Sequence, residues 1–97
     1  MYGTVARLRV KPGMEAKLQE LSDSEMAAGI PGFVFDYVYR LDSGSNEYIL
    51  VVAFESREAY RANADRPEQH EFYLKYRELL GSDPEWSDGE IIAEHHA

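Results

Sequence analysis

Two consecutive stretches rich in aromatic and β-branched residues constrain the fold of this chain more than any other feature. They span residues 33–41 and 47–54, and five turn-forming residues, 42–46, separate them. Residue types of this kind favour extended strands, and a connection of this length is typical of antiparallel neighbours. The pattern therefore predicts a β-hairpin near the centre of the chain.

The segment before the hairpin predicts a strand followed by a helix. Residues 2–10 alternate around apolar positions that include Val5 and Leu8, and a Lys-Pro-Gly turn closes the run. Apolar residues then recur at helical spacing from Met14, and Gly29 is the predicted end of the helix.

The segment after the hairpin predicts a helix in two pieces and a last strand. Ser56 is a good N-cap for a short helix, and Asp65 followed by Glu68 resembles the capping box of a second piece that ends at Gly81. Residues 86–94, centred on two isoleucines, predict the last strand.

The resulting order is βαββαβ. This order predicts an α+β, ferredoxin-like domain with a four-stranded antiparallel sheet. A chain of 97 residues has material for one hydrophobic core, so we expect a single domain over residues 1–97.

The predicted sheet has two apolar faces, although the helices can cover only one of them. Strict alternation assigns to the helix-covered face these residues: Leu8, Val10, Phe33, Phe35, Tyr37, Tyr39, Tyr48, Leu50, Val52, Phe54 and Ile92. It assigns to the outer face these residues: Val5, Val34, Val38, Ile49, Val51, Ala53, Ile91 and Ala93, with Arg7, Arg9, Asp36 and Arg40. Packing against the same face of a second copy would cover this surface, so we expect a homodimer. The alternative is a monomer whose sheet faces water on one side.

Composition disfavours several classes of partner and site. A net charge of −8 disfavours binding to nucleic acid or to an anionic membrane, and no apolar run is long enough for a membrane span. The absence of cysteine excludes disulfides and thiolate metal sites and suits a cytoplasmic protein. The acidic segment 83–90 lacks the ligand spacing of a calcium loop, so we expect no metal.

Two short motifs resemble the antibiotic biosynthesis monooxygenase family. They are Pro-Gly-Phe at residues 31–33, which opens the second strand, and Phe-Glu-Ser-Arg-Glu-Ala-Tyr-Arg-Ala-Asn at 54–63. The resemblance implies a dimeric α+β barrel with a pocket between sheet and helices. Members with known activities include cofactor-free monooxygenases of polycyclic phenols, quinol monooxygenases and heme-degrading enzymes, and other members have no known activity.

The family's functional residues are carried over only in part. Tyr60 matches a tyrosine of the polyketide-oxidising members, whereas Leu50 and Phe54 occupy the positions of their asparagine and tryptophan, and Tyr73 lies near the position of their arginine. The heme-degrading members fit less well, because their axial histidine also falls near Tyr73. We therefore expect no heme and no other cofactor.

These comparisons and the predicted faces define the candidate site. Tyr60 and His70 are the candidate catalytic residues, because a phenol and an imidazole can orient or deprotonate a phenolic substrate. The predicted substrate-binding residues are Tyr37, Leu50, Phe54, Tyr73 and Trp86, which would line an apolar pocket for a small aromatic molecule. Each of these side chains could instead fill the core or lie at the surface.

Two functions remain open from the sequence. The first is a cofactor-independent monooxygenase acting on a phenolic or quinol small molecule. The second is a non-catalytic dimer that binds a small ligand or another protein, and the missing family residues favour it.

Overall fold

The computed structural model describes residues 1–44 and 46–97, except for the side chains of residues 26–28. Ser45, which belongs to the predicted hairpin turn, lies outside the described residues. In chain order the elements are β1 (Tyr2–Arg9), α1 (Glu15–Ala28), β2 (Phe33–Arg40), β3 (Glu47–Phe54), α2 (Arg57–Ala64), α3 (Pro67–Glu78) and β4 (Glu85–Glu90). Among these helices, none is long and apolar enough to cross a membrane.

The four strands form one antiparallel sheet in the order β2-β3-β1-β4. The two central strands, β3 and β1, are joined by α1 and the hairpin, and the two edge strands are β2 and β4. This is the ferredoxin-like arrangement, which confirms the predicted fold class.

Alternation along β1 positions the main core. Ala6 and Leu8 face the helices and are fully buried, whereas Val5 and Arg7 face the other side and are exposed. The buried cluster is completed by Val10, Leu18, Tyr48, Tyr76 and Leu80. It fills the end of the domain where α1 and α3 meet the sheet, which leaves the other end free for a cavity.

A β-bulge in β2 changes which of its residues face the helices. Phe33 pairs with Phe54, but Phe35 pairs with the next residue of β3, Ala53, so β2 carries one extra residue. An extra residue moves every later side chain to the opposite face. Three residues that strict alternation placed toward the helices therefore lie on the outer face: Phe35, Tyr37 and Tyr39. Three that it placed on the outer face lie toward the helices: Asp36, Val38 and Arg40.

The last strand, β4, ends earlier than the sequence predicted: it spans Glu85–Glu90 instead of residues 86–94. It ends at Glu90, which pairs with Tyr2, the first residue of β1. The two isoleucines expected at the centre of the strand lie past its end. The backbone N–H of Ile91 still donates to the carbonyl oxygen of Met1 at 2.9 Å, but Ile92 is 91% exposed. The assignment of Ile91, Ile92 and Ala93 to sheet faces was therefore wrong.

The helices after the hairpin begin close to their predicted positions. Ser56 caps α2 as predicted, since its Oγ accepts a hydrogen bond from the backbone N–H of Ala59 at 3.1 Å. The second piece begins one residue late: Arg66 is the N-cap of α3, Pro67 follows it, and Asp65 instead ends α2. Gly32, with φ of 75°, allows α2 to approach β2, because a Cβ there would lie 2.6 Å from the Cβ of Ala59.

Candidate functional site

A cavity of about 470 Å³, partly open to solvent, lies between the helix-facing side of the sheet and the helices. Pockets for small molecules commonly have volumes of about 300–1,000 Å³. The sheet contributes Thr4, Phe33, Asp36, Val38, Leu50, Val52, Phe54, Trp86 and Asp88 to its lining. The helices and the loop after α1 contribute Ser22, Glu25, Ile30, Tyr60, Asn63, Ala64, Gln69, His70, Phe72, Tyr73 and Tyr76. The wall is mainly apolar and aromatic, with a few polar groups.

The structure brings six of the seven predicted site residues to this cavity: Leu50, Phe54, Tyr60, His70, Tyr73 and Trp86. Tyr37 is the exception, because the bulge in β2 turns it to the outer face, where it is 56% exposed. Its assignment to the pocket is therefore corrected. The catalytic and binding roles of the other six remain predictions.

Tyr60 is held at one side of the cavity by aromatic packing and by a hydrogen bond. Its ring makes edge contacts with Phe54 and Tyr2, at centroid separations of 5.7 and 5.3 Å. Its hydroxyl donates to Asp88 Oδ1 at 2.8 Å. Burial and the Asp88 carboxylate raise the pKa of Tyr60 to about 12, so the phenol keeps its proton at neutral pH. Tyr60 is thus a neutral group that can orient a ligand.

His70 lies at the cavity wall near the start of α3, and its side chain is exposed. Tyr73 follows it by three residues and lies on the same side of the helix. Because His70 is both exposed and part of the lining, we place it at the rim of the cavity.

Asp36 is a cavity residue that alternation alone had placed on the outer face. It is half-buried on β2, opposite Val52 of β3. Burial and, to a lesser extent, the negative charge of Asp23 raise the pKa of the Asp36 carboxyl above its ordinary value. In the sequence, Asp36 stands out as the single acidic residue of the run 33–39, whose other residues are all aromatic or β-branched.

Thr4 is a second cavity residue that the sequence analysis missed. It lies on the central strand β1 and is only 5% exposed. Its Oγ1 lies next to the Tyr60 hydroxyl, and a hydrogen bond between the two partly offsets the rise in the pKa of Tyr60. Thr4 and Tyr60 therefore form a pair of hydroxyls at the cavity wall that can contact a ligand.

The comparison with protein families identifies the chain's relatives. The model of the family described as antibiotic biosynthesis monooxygenase matches residues 1–74 of the 97. The chain belongs to the antibiotic biosynthesis monooxygenase family. No curated protein sequence matches it significantly.

Solved structures of the antibiotic biosynthesis monooxygenase family share its fold. A variant of SnoaB, a cofactor-independent oxygenase from Streptomyces nogalater, is 20% identical with a TM-score of 0.81, over 96% of this chain and 94% of that one. A candidate family member from Caulobacter crescentus CB15 is 16% identical with a TM-score of 0.80, over 95% and 90% of the two chains. Another, from Chloroflexus aurantiacus, is 21% identical with a TM-score of 0.77, over 98% and 96%.

The family match covers only part of the cavity wall. It includes Tyr60, His70 and Tyr73 but ends before β4, which carries Trp86 and Asp88. The hydrogen-bond partner of Tyr60 therefore lies outside the matched region, and the structure was needed to pair them.

Proposed function

We propose that this protein is a cofactor-independent monooxygenase that oxidises a phenolic or quinol small molecule in the cavity. The observation that carries the proposal is an aromatic cavity of about 470 Å³ that contains a proton acceptor, Asp36, and a fixed neutral phenol, Tyr60. The similarity in fold to SnoaB, a cofactor-independent oxygenase, supports the same reaction class.

The two groups suit different steps of such a reaction. Tyr60 directs its hydrogen to Asp88, so its oxygen lone pairs can accept a hydrogen bond from a substrate hydroxyl. The Asp36 carboxylate, whose pKa is raised, is the better base and would take the phenolic proton. His70 would pass that proton to solvent at the rim.

The chemistry needs no external reductant. When a phenol becomes a para-quinone, the ring C–H and phenolic O–H bonds break, one atom of O₂ becomes the new carbonyl oxygen, and the other leaves as water. The substrate supplies all the electrons. The protein has to position the ring, promote formation of the phenolate and exclude bulk water.

Oxygen uptake with a panel of anthrone-type phenols and simple quinols tests the proposal. We expect uptake above the uncatalysed rate with at least one compound, and a decrease of roughly 10²-fold in the isosteric Asp36→Asn variant. Glu25→Gln, which also removes an acid from the cavity wall, is the matched control and should retain most of the rate. No uptake above the buffer rate across the panel would refute the proposal.

A second candidate function is a non-catalytic protein that binds a small ligand. Leu50 and Phe54 line the cavity. By the family resemblance, they stand where the oxidising members carry an asparagine and a tryptophan. Tight binding of a panel compound without oxygen uptake would favour this function.

We also propose that the protein acts in the cytoplasm as a homodimer through the outer face of the sheet. Members of the family are generally dimeric. The bulge in β2 makes this face more aromatic than the sequence predicted, since it adds Tyr37 and Tyr39 to Val5 and Val51. A second copy of the same face would cover these side chains, of which Val5, Tyr37 and Tyr39 are exposed.

A further inference from the structure

Three polar side chains form a hydrogen-bonded chain along one part of the cavity wall. Thr4 of β1 and Asp88 of β4 are directly opposite each other in the sheet. The Tyr60 hydroxyl reaches both of them from α2, and it lies 2.8 Å from Asp88 Oδ1. All three residues line the cavity, so a ligand there meets the Thr4–Tyr60–Asp88 chain.

The hydrogen bonds of this chain run in one direction. A carboxylate has lone pairs but no hydrogen, so Asp88 accepts and Tyr60 donates. Burial and the Asp88 carboxylate raise the pKa of Tyr60, and the bond to Thr4 partly offsets the rise. A hydrogen bond donated to the phenol oxygen has this effect, because it stabilises the ionised form. Thr4 therefore donates to Tyr60, and Tyr60 donates to Asp88.

The direction of the chain decides what it offers to a ligand. Both hydroxyl hydrogens are engaged within the chain, so the groups that remain toward the cavity are the oxygen lone pairs of Thr4 and Tyr60. A ligand hydroxyl can donate a hydrogen bond to these lone pairs. A ligand carbonyl has no hydrogen, so its oxygen meets the lone pairs of Tyr60 without forming a bond.

We infer that Asp88 is a positioning residue that makes the cavity prefer a hydroxyl-bearing substrate over its carbonyl product, because it holds the Tyr60 hydrogen away from the ligand. This inference rests on the proposed function for the substrate and the product, and it adds the residue that distinguishes them. The substrate donates to the Tyr60 oxygen, whereas the product loses this bond and is released more readily.

The pair 1-naphthol and 1,4-naphthoquinone tests the inference. In the proposed reaction, one ring C–H and the O–H bond of 1-naphthol break, one atom of O₂ becomes the second carbonyl oxygen, and the other atom leaves as water with both hydrogens. In anaerobic calorimetry, where no turnover occurs, we expect the wild type to bind the naphthol more tightly than the quinone by about tenfold or more. Equal affinities would overturn the inference.

Substitutions of Asp88 test its role in this preference. Asp88 is exposed on an edge strand, so we expect its variants to fold. In Asp88→Ala the Tyr60 hydrogen is free to turn to a carbonyl, so the preference for the naphthol should fall about tenfold. Asp88→Asn keeps an acceptor oxygen and should retain most of the preference. A preference that stays at the wild-type value in Asp88→Ala would overturn the inference.

Two controls separate this role from a general effect on the cavity. Naphthalene, which has no oxygen, should bind the wild type and Asp88→Ala alike. Glu90→Ala removes another exposed acid from the same strand and should leave the preference unchanged.

A double variant shows whether Asp88 acts through Tyr60. Tyr60→Phe should itself reduce the preference about tenfold, because it removes the acceptor of the naphthol hydrogen. Adding Asp88→Ala to Tyr60→Phe should change the preference no further. A second tenfold decrease in the double variant would show that Asp88 contacts the ligand directly, which contradicts its positioning role.

These binding measurements and oxygen uptake can fail separately. If the preference depends on Asp88 as expected and no panel compound is oxidised, the monooxygenase proposal fails and the role of Asp88 in ligand discrimination stands. If oxidation occurs and Asp88→Ala keeps the wild-type preference, the role of Asp88 fails and the monooxygenase proposal stands.

Discussion

Tyr60 donates its hydroxyl hydrogen to Asp88 across the gap between α2 and the edge strand β4, at 2.8 Å. This bond and the burial of the ring keep the phenol neutral, with its pKa raised to about 12. We therefore expect Tyr60 to orient a ligand through its oxygen lone pairs rather than to act as the base.

The first prediction concerns Tyr60→Phe, which removes one hydrogen bond to a ligand. We expect kcat/KM on an oxidised panel compound to fall about tenfold, with most of the change in KM and no shift of the pH profile. Tyr73→Phe is the matched control within the cavity and should have a smaller effect. A Tyr60→Phe variant that loses an alkaline limb of the pH profile below pH 10 would show that Tyr60 ionises during turnover.

The second prediction concerns stability at alkaline pH. Burial, with a smaller contribution from Asp36, raises the pKa of Tyr76 to about 12, above its ordinary value of about 10. The unfolded chain loses this proton first, so the stabilisation is complete below pH 10 and is lost as the pH rises to 12. In urea titrations, the free energy of unfolding should fall by about 2–3 kcal/mol more in the wild type than in Tyr76→Phe over this window.

The third prediction concerns the cost of placing Asp36 in the cavity. Its folded-state pKa is raised, so the protonated form is favoured, and the contribution of the group to stability falls as the pH rises through that value. Asp36→Asn should therefore raise the free energy of unfolding at pH 7 by roughly 1 kcal/mol or less, since the side chain is only half-buried. Below pH 4 the two proteins should converge. A less stable Asp36→Asn variant at pH 7 would show that the carboxylate has a stabilising partner.

The helix-facing side of β1 and β3 could be predicted from sequence because their alternation is unbroken in the structure. Leu50 and Phe54 therefore reached the cavity as expected, and Tyr60 followed because Ser56 begins α2 directly after β3. In these segments the local pattern and the pairing of strands agree.

The faces of β2 could not be predicted in the same way. Nearly every residue of the run 33–39 is aromatic or β-branched, so either register gives an apolar face toward the helices. Only the position of the bulge decides between Tyr37 and Asp36 as the cavity residue, and pairing with β3 fixes it. Pairing with β1 also decides which residues form β4. The register of β1 takes the mostly polar residues 85–90 and leaves the more strand-favouring Ile91 and Ile92 past the end of the strand.

The last prediction concerns Val51, which lies at the centre of the outer face between Tyr37 and Val5 of the neighbouring strands. If two copies pack through this face, Val51→Asp places an unpaired carboxylate in a buried contact, at a cost of several kcal/mol. Light scattering at micromolar concentration should give twice 11.1 kDa for the wild type and 11.1 kDa, or insoluble protein, for the variant. Leu74→Asp changes a side chain of α3 that is 51% exposed and lies away from the sheet, so it controls for the added charge and should remain a dimer. A Val51→Asp variant with an unchanged mass would place the contact between subunits on another surface, because no dimer that buries Val51 could accept the carboxylate without a partner.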